Sequence, residues 1–442
     1  MATKAKSEQD AQRKGEEVSS WQKEIAENYT YCMFSTLNQM VNYLPMLLFD
    51  FKKPKIYVTL EGDPQNKQFD ENLKRALDSL PKQNSARFHL PSEHVRILDV
   101  NNVDAIREVL GKEANGKRVL WNITGGQRPF VMAVFELLKE ANRKDDIVMY
   151  LEGNAGQLTF LRVNDEGKLE KIPDAEHGMQ RYNIANNSEY LTLSIALKLM
   201  GFEGELSETK PTEIKESSSY LSLAEKYVGK EHLRKKLLGL NKSKDYFDQR
   251  DNFTYLTKSV LSKEPKNYFS ELDEEVELIL AHGSHARPFG YLLEKMFACK
   301  IWSVAKDYIA KMAVNVRLYY DDAQKQQEAE GNIIDELDIV VLTRTGQLVV
   351  FEVKSGEMSG DVAKSTKYTT YAIAGVYGKP VLLTPLLKEQ INKLNDLSGD
   401  WAYGASVQAA RAARRAQLPI LALDGRDEKD FETALKEILN IR

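Results

Sequence analysis

Residues 335–356, DELDIVVLTRTGQLVVFEVKSG, constrain the fold of this chain more than any other stretch. Two apolar runs flank a short polar segment, and this pattern is typical of a β-hairpin. A three-residue loop centred on Thr345 would place Gly346 in the left-handed conformation that such loops favour. With Thr345 at the centre, Asp338 lies directly opposite Glu352, and opposed residues of an antiparallel pair share one face.

Three charged side chains are predicted on that face, because Lys354 follows Glu352 by two residues and side chains alternate along a strand. Charges within apolar strands are costly to bury, and they persist when they pair or hold a metal. Two carboxylates can bind a hard divalent cation and leave positions for water and phosphate. The pattern favours metal-assisted hydrolysis of phosphodiesters, with Mg²⁺ or Mn²⁺ on Asp338 and Glu352 and with Lys354 beside the phosphoryl oxygens. An ordinary hairpin with a charged surface cluster is the alternative.

Helices and strands are predicted on both sides of the hairpin. An apolar helix upstream carries Glu294, a third carboxylate. The order helix, three strands, helix, strand resembles the PD-(D/E)xK nuclease core over residues 287–385, although no proline precedes Asp338. The resemblance implies metal binding by Asp338 and Glu352, a catalytic role for Lys354 and an accessory role for Glu294. The predicted elements are helices at 288–303 and 362–377 and strands at 312–319 and 380–383.

The composition limits the classes of protein to which this chain can belong. A chain of 442 residues is long enough for two or three domains, and its net charge of −4 gives no overall attraction to nucleic acid. The two cysteines, Cys32 and Cys299, exclude a disulfide scaffold and a cysteine-based zinc site, and they fit a reducing cytoplasm. No apolar run approaches the roughly 20 residues of a membrane span, and the polar N-terminus is not a signal peptide. We therefore predict a cytoplasmic protein without a membrane partner.

Strands and helices alternate in the N-terminal half of the chain. Such alternation predicts a doubly wound, mostly parallel sheet. Ligands of these sheets bind outside the carboxyl ends of the strands, where the strand order reverses. Strands are predicted at 29–35, 54–60, 94–100, 118–123, 146–151 and 158–161, and helices at 40–51, 70–79, 103–110 and 129–141.

Two loops follow strands at that edge of the predicted sheet. S-T-L-N comes after the first strand, and N-I-T-G-G-Q-R-P comes after the fourth. Paired glycines let the backbone approach a ligand closely, and Pro129 suits the first position of a helix whose free amides point into the loop. Arg128 can add bidentate phosphate contacts. The glycine patterns of dinucleotide and ATP sites are absent, so the sequence predicts another anion, with a plain tight turn as the alternative.

The two loops resemble those of the CARF domain, a sensor domain of CRISPR-associated proteins, over residues 29–170. The resemblance implies that a cyclic oligoadenylate binds across a homodimer interface. It assigns ligand binding to Ser35, Thr36, Asn38, Thr124, Gly125, Gly126, Gln127 and Arg128.

Other polar segments have two interpretations each. The histidines His282 and His285 have a metal-like spacing, but structural or substrate-contact roles are favoured because no carboxylate is adjacent. Residues 201–218 are polar, contain Gly, Pro and repeated Ser, and predict a linker. The basic helix that follows could track a phosphate backbone or form a solvated surface. Lys364 and Lys367 are better placed to meet substrate phosphates. A second basic set is either a nucleic-acid groove or an ordinary surface helix, namely Arg411, Arg414 and Arg415.

The whole chain resembles the CARF-nuclease effectors of type III CRISPR systems. The resemblance implies a homodimeric, metal-dependent endonuclease that cyclic tetra-adenylate activates and that cuts DNA, with RNA as a further substrate. A ligand-sensing transcriptional regulator and a ring nuclease with a vestigial second domain are the alternatives. Ring size, strand preference and the number of metal ions stay open. The predicted regions are a polar arm at 1–28, a Rossmann-like CARF sensor at 29–205, a linker with a basic helical segment at 206–268 and a PD-(D/E)xK nuclease domain at 269–442.

Overall fold

Two β-sheets with helices on their faces organise the computed structural model. Most of the predicted N-terminal arm and the pair His282 and His285 lie outside the residues that it describes. No helix within the described part of the chain is long and apolar enough to cross a bilayer. The described residues are 21–81, 85–140, 143–152, 157–172, 189–207, 210–214, 217–239, 288–320, 333–397 and 403–441.

Seven strands form the first sheet: β1 (Tyr29–Phe34), β2 (Ile56–Leu60), β3 (Val95–Ile97), β4 (Arg118–Asn122), β5 (Ile147–Glu152), β6 (Gln157–Val163) and β7 (Leu169–Lys171). Their spatial order is β3-β2-β1-β4-β5-β6-β7. The first five run parallel, and β6 and β7 are added antiparallel. The strand order reverses between β1 and β4, so the predicted doubly wound sheet is confirmed and its switch point lies there.

Helices cover both faces of this sheet, which is why every residue of β1 is buried. Several helices begin at side chains that accept a hydrogen bond from a backbone amide of the first turn. Asp63 accepts one from Gln65, and Asn102 accepts one from Ala105. The helices of this half are α1 (Met40–Leu48), α2 (Pro64–Asp78), α3 (Ser85–Phe88), α4 (Val103–Ala114), α5 (Arg128–Leu137) and α6 (Leu193–Lys198).

The second sheet has six strands, β8 (Phe202–Ser207), β9 (Ile309–Tyr320), β10 (Asp335–Thr343), β11 (Leu348–Val353), β12 (Lys379–Thr384) and β13 (Ile420–Ala422). Their spatial order is β13-β12-β11-β10-β9-β8. The central pair β10 and β11 is antiparallel, and β12 and β13 continue parallel to β11. The surrounding helices are α7 (Ser217–Gly229), α8 (Glu231–Gly239), α9 (Pro288–Ala305), α10 (Gly360–Ala374), α11 (Lys388–Asn392), α12 (Gly404–Arg415) and α13 (Phe431–Ile438).

The hairpin formed by β10 and β11 has the register that its loop predicts. Gly346 has a φ of +79°, and its amide donates to the carbonyl oxygen of Thr343. The register pairs Ile339 with Phe351 and Leu342 with Leu348, so it has the predicted centre at Thr345. The left-handed glycine therefore fixes which residues of the two strands face each other.

The two sheets are joined by a hydrophobic core. Side chains on one face of β10 and β11, among them Val340 and Val350, pack in one cluster with Leu44 and Leu47 of α1. A Cβ atom added at Gly346 would lie 2.8 Å from the Leu44 side chain, so the hairpin tip touches the first half of the chain. The opposite face of the hairpin packs in a separate core with α9.

The linker interpretation of residues 201–218 is wrong for its first part. Phe202–Ser207 forms β8, which pairs antiparallel with β9 of the second sheet, although the prediction placed residues up to 205 in the sensor. The ring of Phe202 stacks on Tyr320 with centroids 5.7 Å apart. This edge strand, FEGELS, mixes acidic and small residues, so it has neither the apolar run nor the strict alternation that predicts a strand.

Candidate catalytic cluster and ligand pocket

Asp338 lies at the point where β10 and β11 separate. The paired ladder ends at Ile339 and Phe351. Instead of a further backbone pair, the Asp338 carboxylate Oδ2 accepts the N–H of Val353 at 2.6 Å. The carboxylate therefore reaches along the sheet into the gap between the strands. The sequence predicted Asp338 opposite Glu352, but it did not predict this substitution of a side chain for a backbone partner.

Glu352 and Lys354 form an ion pair at the end of β11. The Nζ atom of Lys354 contacts Oε1 of Glu352. Glu352 is 7% exposed, so its charge is largely removed from water. A buried carboxylate is retained when a cation or hydrogen-bond donors compensate its charge, and here Lys354 supplies that compensation.

Burial raises the pKa of Asp338 well above its ordinary value, and the negative charge of Glu352 raises it further. Lys354 and the Val353 N–H act in the opposite direction, but they do not offset the burial. The two carboxylates repel each other in a poorly hydrated site, and a bound divalent cation would relieve that repulsion.

Lys354 and Glu294 respond to the same electrostatic field. Burial lowers the pKa of Lys354, but the charges of Glu352 and Asp338 outweigh that effect and raise it overall. In Glu294, burial raises the pKa to about 7, against partial compensation from Lys295 and Lys354. Glu352 adds to the shift of Glu294. The helix α9 therefore brings the predicted third carboxylate within electrostatic reach of the hairpin.

The donor set of the cluster suits Mg²⁺ or Mn²⁺, because both ions prefer carboxylate oxygens and water as ligands. Asp338 and Glu352 are the two residues that would hold such an ion. Among the described residues, no three His, Cys, Asp or Glu side chains converge as a preformed metal cage. Two carboxylates fill only part of the coordination shell of such an ion and would leave positions for water and for a phosphate oxygen.

Several basic residues with predicted phosphate roles donate hydrogen bonds inside the protein. The Nζ atom of Lys367 donates to the carbonyl oxygen of Ala416 at 3.1 Å, while exposed Lys364 pairs with Asp361 at 3.5 Å. Arg234, which belongs to the basic helical segment, is 8% exposed and donates to the carbonyl oxygens of Tyr227 and Val228. Carbonyl oxygens also accept from Arg411 and Arg414, whereas Arg415 is exposed.

The two predicted ligand loops meet at the switch point of the first sheet. A Cβ atom added at Gly125 would lie 2.9 Å from the Thr36 side chain, so the loops are in contact. Gly126 has a φ of +81°, and an added Cβ would lie 2.6 Å from Cβ of Phe34. The paired glycines are therefore required by the close approach of the second loop to β1.

Asn122 and Thr124 hold the second loop in shape. The amide of Asn122 donates to the hydroxyl of Tyr31 at 2.8 Å and to the carbonyl oxygen of Val41 at 3.0 Å. Its carbonyl oxygen accepts the N–H of Thr124 at 3.1 Å. The hydroxyl of Thr124 accepts the N–H of Leu151 at 2.8 Å, which engages one of its two acceptor positions.

Ser35 belongs to a hydroxyl cluster around Asp70, a residue that the sequence analysis missed. The hydroxyls of Ser35 and Tyr57 donate to Oδ1 of Asp70 at 2.6 Å, and Thr59 donates to Oδ2 at 2.7 Å. Asp70 lies in the middle of a helix among other polar residues, so no local pattern marks it. The hydrogen bond from Ser35 to Asp70 therefore anchors the start of the first predicted ligand loop to α2.

Asn38, in the loop after β1, links the first half of the chain to α10 in the second half. Its amide donates to the carbonyl oxygen of Ala374, the last residue of α10, at 3.4 Å, and its carbonyl oxygen accepts the N–H of Met40 at 3.2 Å. Gly375 lies against the same side chain. The predicted ligand residue therefore contacts both halves of the molecule.

The helix α5 begins beside the glycine pair. Gln127 is its N-cap residue, and its side chain makes no capping bond. Pro129 has no amide hydrogen, and the Phe130 N–H donates to the carbonyl oxygen of Gln127 at 3.0 Å. Arg128 is exposed and starts the helix one residue earlier than predicted. The start of α5 would therefore offer a phosphate group the backbone N–H and the cationic side chain of Arg128 rather than a full turn of free amides.

Solved structures share this architecture. Protein VC1899 from Vibrio cholerae is 15% identical to this chain, with 94% of this chain and 97% of that chain covered and a TM-score of 0.56. Can2 from Sulfobacillus thermosulfidooxidans, solved with cyclic tetra-adenylate, is 15% identical over 93% and 95% of the two chains, with a TM-score of 0.54. A type III CRISPR defence DNA nuclease activated by cyclic oligoadenylate is 13% identical over 80% of this chain and 45% of its own, and its TM-score of 0.44 is too low to establish a shared fold.

No family model and no curated protein matches the sequence. At 15% identity, the likeness to Can2 and VC1899 establishes the fold alone. The chain therefore shares with Can2 and VC1899 its fold of two α/β sheets, and the two-sheet α/β architecture predicted from the sequence is confirmed.

Proposed function

We propose that this protein is a metal-dependent endonuclease of type III CRISPR defence, switched on by cyclic oligoadenylate and in particular by cyclic tetra-adenylate. Its substrate is DNA, nicked or cut as single strands, with RNA as a second substrate class. The cluster of Asp338, Glu352, Lys354 and Glu294 carries this proposal, because the charge of Glu352 acts on each of the other three groups and Lys354 is paired with Glu352. The fold shared with Can2, a protein solved with cyclic tetra-adenylate, supports the activator.

The chemistry follows from the charges of the cluster. Asp338 and Glu352 would hold a divalent cation, which would supply charge neutralisation and a more acidic bound water. Lys354, whose raised pKa keeps it cationic at neutral pH, would stabilise the phosphoryl oxygens of the scissile group. Glu294, whose pKa is about 7, is half protonated near neutral pH and can accept or release a proton at the site.

The ligand pocket suits a ring of phosphates. This pocket comprises Thr36, the pair Gly125 and Gly126, and Arg128, whose backbone N–H and side chain would donate to phosphate oxygens. Leu37 and Met132 beside this pocket are 55% and 56% exposed. A homodimer that encloses one ring at its two-fold axis would cover these two apolar side chains.

Asn38 is the route by which the ring affects the nuclease. Its amide contacts the end of α10, and α10 also meets the strand of Asp338 through a bond from the Thr369 hydroxyl to Asp335 at 2.7 Å. A ring that draws the loop of Asn38 toward itself would loosen this contact. Ligand binding would thereby favour a different position of α10 relative to the cluster.

The test is incubation of the purified protein with plasmid, single-stranded DNA and single-stranded RNA, with Mg²⁺ or Mn²⁺, and with or without cyclic tri-, tetra- and hexa-adenylate. We expect cutting that requires both metal and ring. Loss of the ring without any cutting would support the ring-nuclease alternative. A shifted but intact DNA would support the transcriptional regulator, and either result would contradict the proposal.

A further inference from the structure

The strand β9 contains an unusual backbone conformation beside the cluster. Among the described non-glycine residues, four have a positive φ, and Asn315, at +54°, is the one that lies inside a strand. Gln417 and Asn440 follow the ends of helices, and Asp427 lies in a tight turn, where such angles are common. A left-handed residue in mid-strand needs a specific reason.

Asn315 lies opposite Asp338 in the register. The β9–β10 ladder pairs Leu337 with Val316 and Ile339 with Val314, and it omits the pair between them. That omitted pair is Asp338 and Asn315. The left-handed backbone of β9 at Asn315 thus lies opposite Asp338, the residue of β10 that leaves the ladder and accepts the N–H of Val353.

In both β9 and β10, the side chains exchange faces of the sheet at this point. In β9, Val314 packs in the core beneath α9, whereas Val316 packs in the core shared with α1. In β10, Ile339 packs beneath α9, whereas Leu337 packs in the shared core. Residues two apart in a regular strand share a face, so the face exchange across Asn315 and Asp338 shows a local reversal.

We infer that Asn315 is a positioning residue for Asp338: its left-handed backbone turns the two strands over and lets the Asp338 carboxylate enter the gap beside Val353. In a regular strand Asp338 would instead lie on the face of Val340 and Leu342, which packs against α1. Asparagine suits this position, because its short polar side chain tolerates the left-handed region better than other residues with a Cβ atom. The kinetic part of this inference rests on the proposed nuclease function, whereas its structural part does not.

The experiment compares Asn315→Gly, Asn315→Ala and Asn315→Val. Glycine accepts the positive φ freely, alanine accepts it with strain, and valine resists it and favours a regular strand. The matched control is Arg317→Val, at an exposed position two residues further along the same strand. The first readout is hydrogen exchange of the Val353 amide in protein labelled with ¹⁵N-valine. The second is Mn²⁺ affinity, and the third is ring-activated cutting.

We expect Asn315→Gly to keep the slow exchange of Val353 and cutting within about threefold of the unmodified protein, a range that strain-free replacement permits. Asn315→Val should expose the Val353 amide, weaken Mn²⁺ binding at least about tenfold and reduce cutting roughly 100-fold, as expected for a displaced ligand and catalytic group. Asn315→Ala should fall between them and serves as the test if the valine variant does not fold. Arg317→Val should resemble the unmodified protein.

Slow Val353 exchange and normal Mn²⁺ affinity in a folded Asn315→Val protein, or in Asn315→Ala if the valine variant does not fold, would overturn the inference. Equal loss in Asn315→Gly and Asn315→Val would overturn it as well, because the side chain rather than the backbone would then be responsible. If the unmodified protein cuts no substrate, the proposed function fails, but the exchange comparison still decides the role of Asn315.

Discussion

The proposed catalytic cluster and the proposed ligand pocket both lie at the ends of strands, but charged side chains dominate the cluster and neutral side chains dominate the pocket. The cluster concentrates charge: burial and mutual repulsion raise the pKa of Asp338, and Lys354 is held against Glu352. In the pocket, neutral side chains bond to the protein itself, as Thr124 does with the Leu151 amide and Asn38 with Ala374.

The difference shows how each site would recognise phosphate. The cluster offers like charges that are costly to leave uncompensated, so it suits a cation and a transition state that gathers charge. The pocket offers neutral polar groups and the exposed Arg128 around two glycines, so it suits a ligand that arrives already charged. Removal of a single charge should therefore abolish the function of the cluster, whereas the pocket should weaken in smaller steps.

The largest effect is expected from Glu352→Gln, which removes a charge from the cluster and keeps the shape of the side chain. Cutting should fall by roughly 10³-fold or more, because a group that acts directly on the reacting phosphate is lost. Ring affinity, measured by fluorescence polarisation, should be unchanged. The matched control is Glu336→Gln, an exposed carboxylate of β10 that pairs with Arg317. Joint loss of cutting and ring binding would show that the two sites are not separate.

Gly126→Ala tests the glycine approach in the pocket. The added Cβ meets Phe34 at 2.6 Å and the φ of +81° is strained, so we expect about 2–5 kcal/mol of lost stability and loss of ring binding. Thermal unfolding and ring titration provide the measurements. Gly62→Ala is the control, because its φ is +78° but nothing lies within 4 Å of the added atom. Equal losses in the two variants would remove the close approach as the cause.

Glu294→Gln tests how much the burial of the Glu294 charge destabilises the folded protein. Glu294 has a pKa of about 7 in the folded protein against an ordinary value of 4.5. The folded state therefore holds its proton more tightly, and stability falls as pH rises from about 4.5 to 7. The difference corresponds to at most roughly 3 kcal/mol above pH 7. Chemical unfolding in EDTA should show the variant more stable than the unmodified protein at pH 8 and little changed at pH 4.5; a gap that does not depend on pH would contradict this.

Arg128→Ala tests the exposed charge of the pocket. One charge-assisted bond contributes about 1.5–3 kcal/mol, so ring affinity should fall about 10- to 100-fold. The activation curve should shift to higher ring concentration, and cutting at saturating ring should be unchanged. Arg162→Ala, an exposed arginine of β6 paired with Glu170, is the control. An unchanged activation curve would remove Arg128 from the pocket.

The smallest effect is expected from Asn38→Ala, which removes a bond of 3.4 Å between the two halves of the molecule. Such a bond contributes about 0.5–1.5 kcal/mol, so the ratio of activated to basal cutting should change about two- to tenfold. We expect that change mainly in basal cutting, which is measured without ring. If basal and activated cutting both stay constant, the coupling runs through other contacts.

Sequence patterns predict the parts of this molecule that depend on local rules. The hairpin register follows from the left-handed Gly346, and the switch point follows from the alternation of strands and helices. The reversal at Asn315 does not follow, because an exposed asparagine in a strand resembles any surface polar residue until its partner strand is known. The strand β8 is also a long-range effect, since it depends on pairing with β9, which is distant in sequence.

The hairpin tip has a mechanical consequence. Gly346 touches Leu44 of the first half, and Glu352 lies six residues further along β11, about 20 Å away at the rise of a strand. A strand paired on both sides is stiff along its axis. A shift of α1 would therefore displace the whole of β11, including its far end. A tilt of a few degrees at Leu44 would move the Glu352 carboxylate by about 1–2 Å. Such a movement is enough to align or misalign a reacting phosphate.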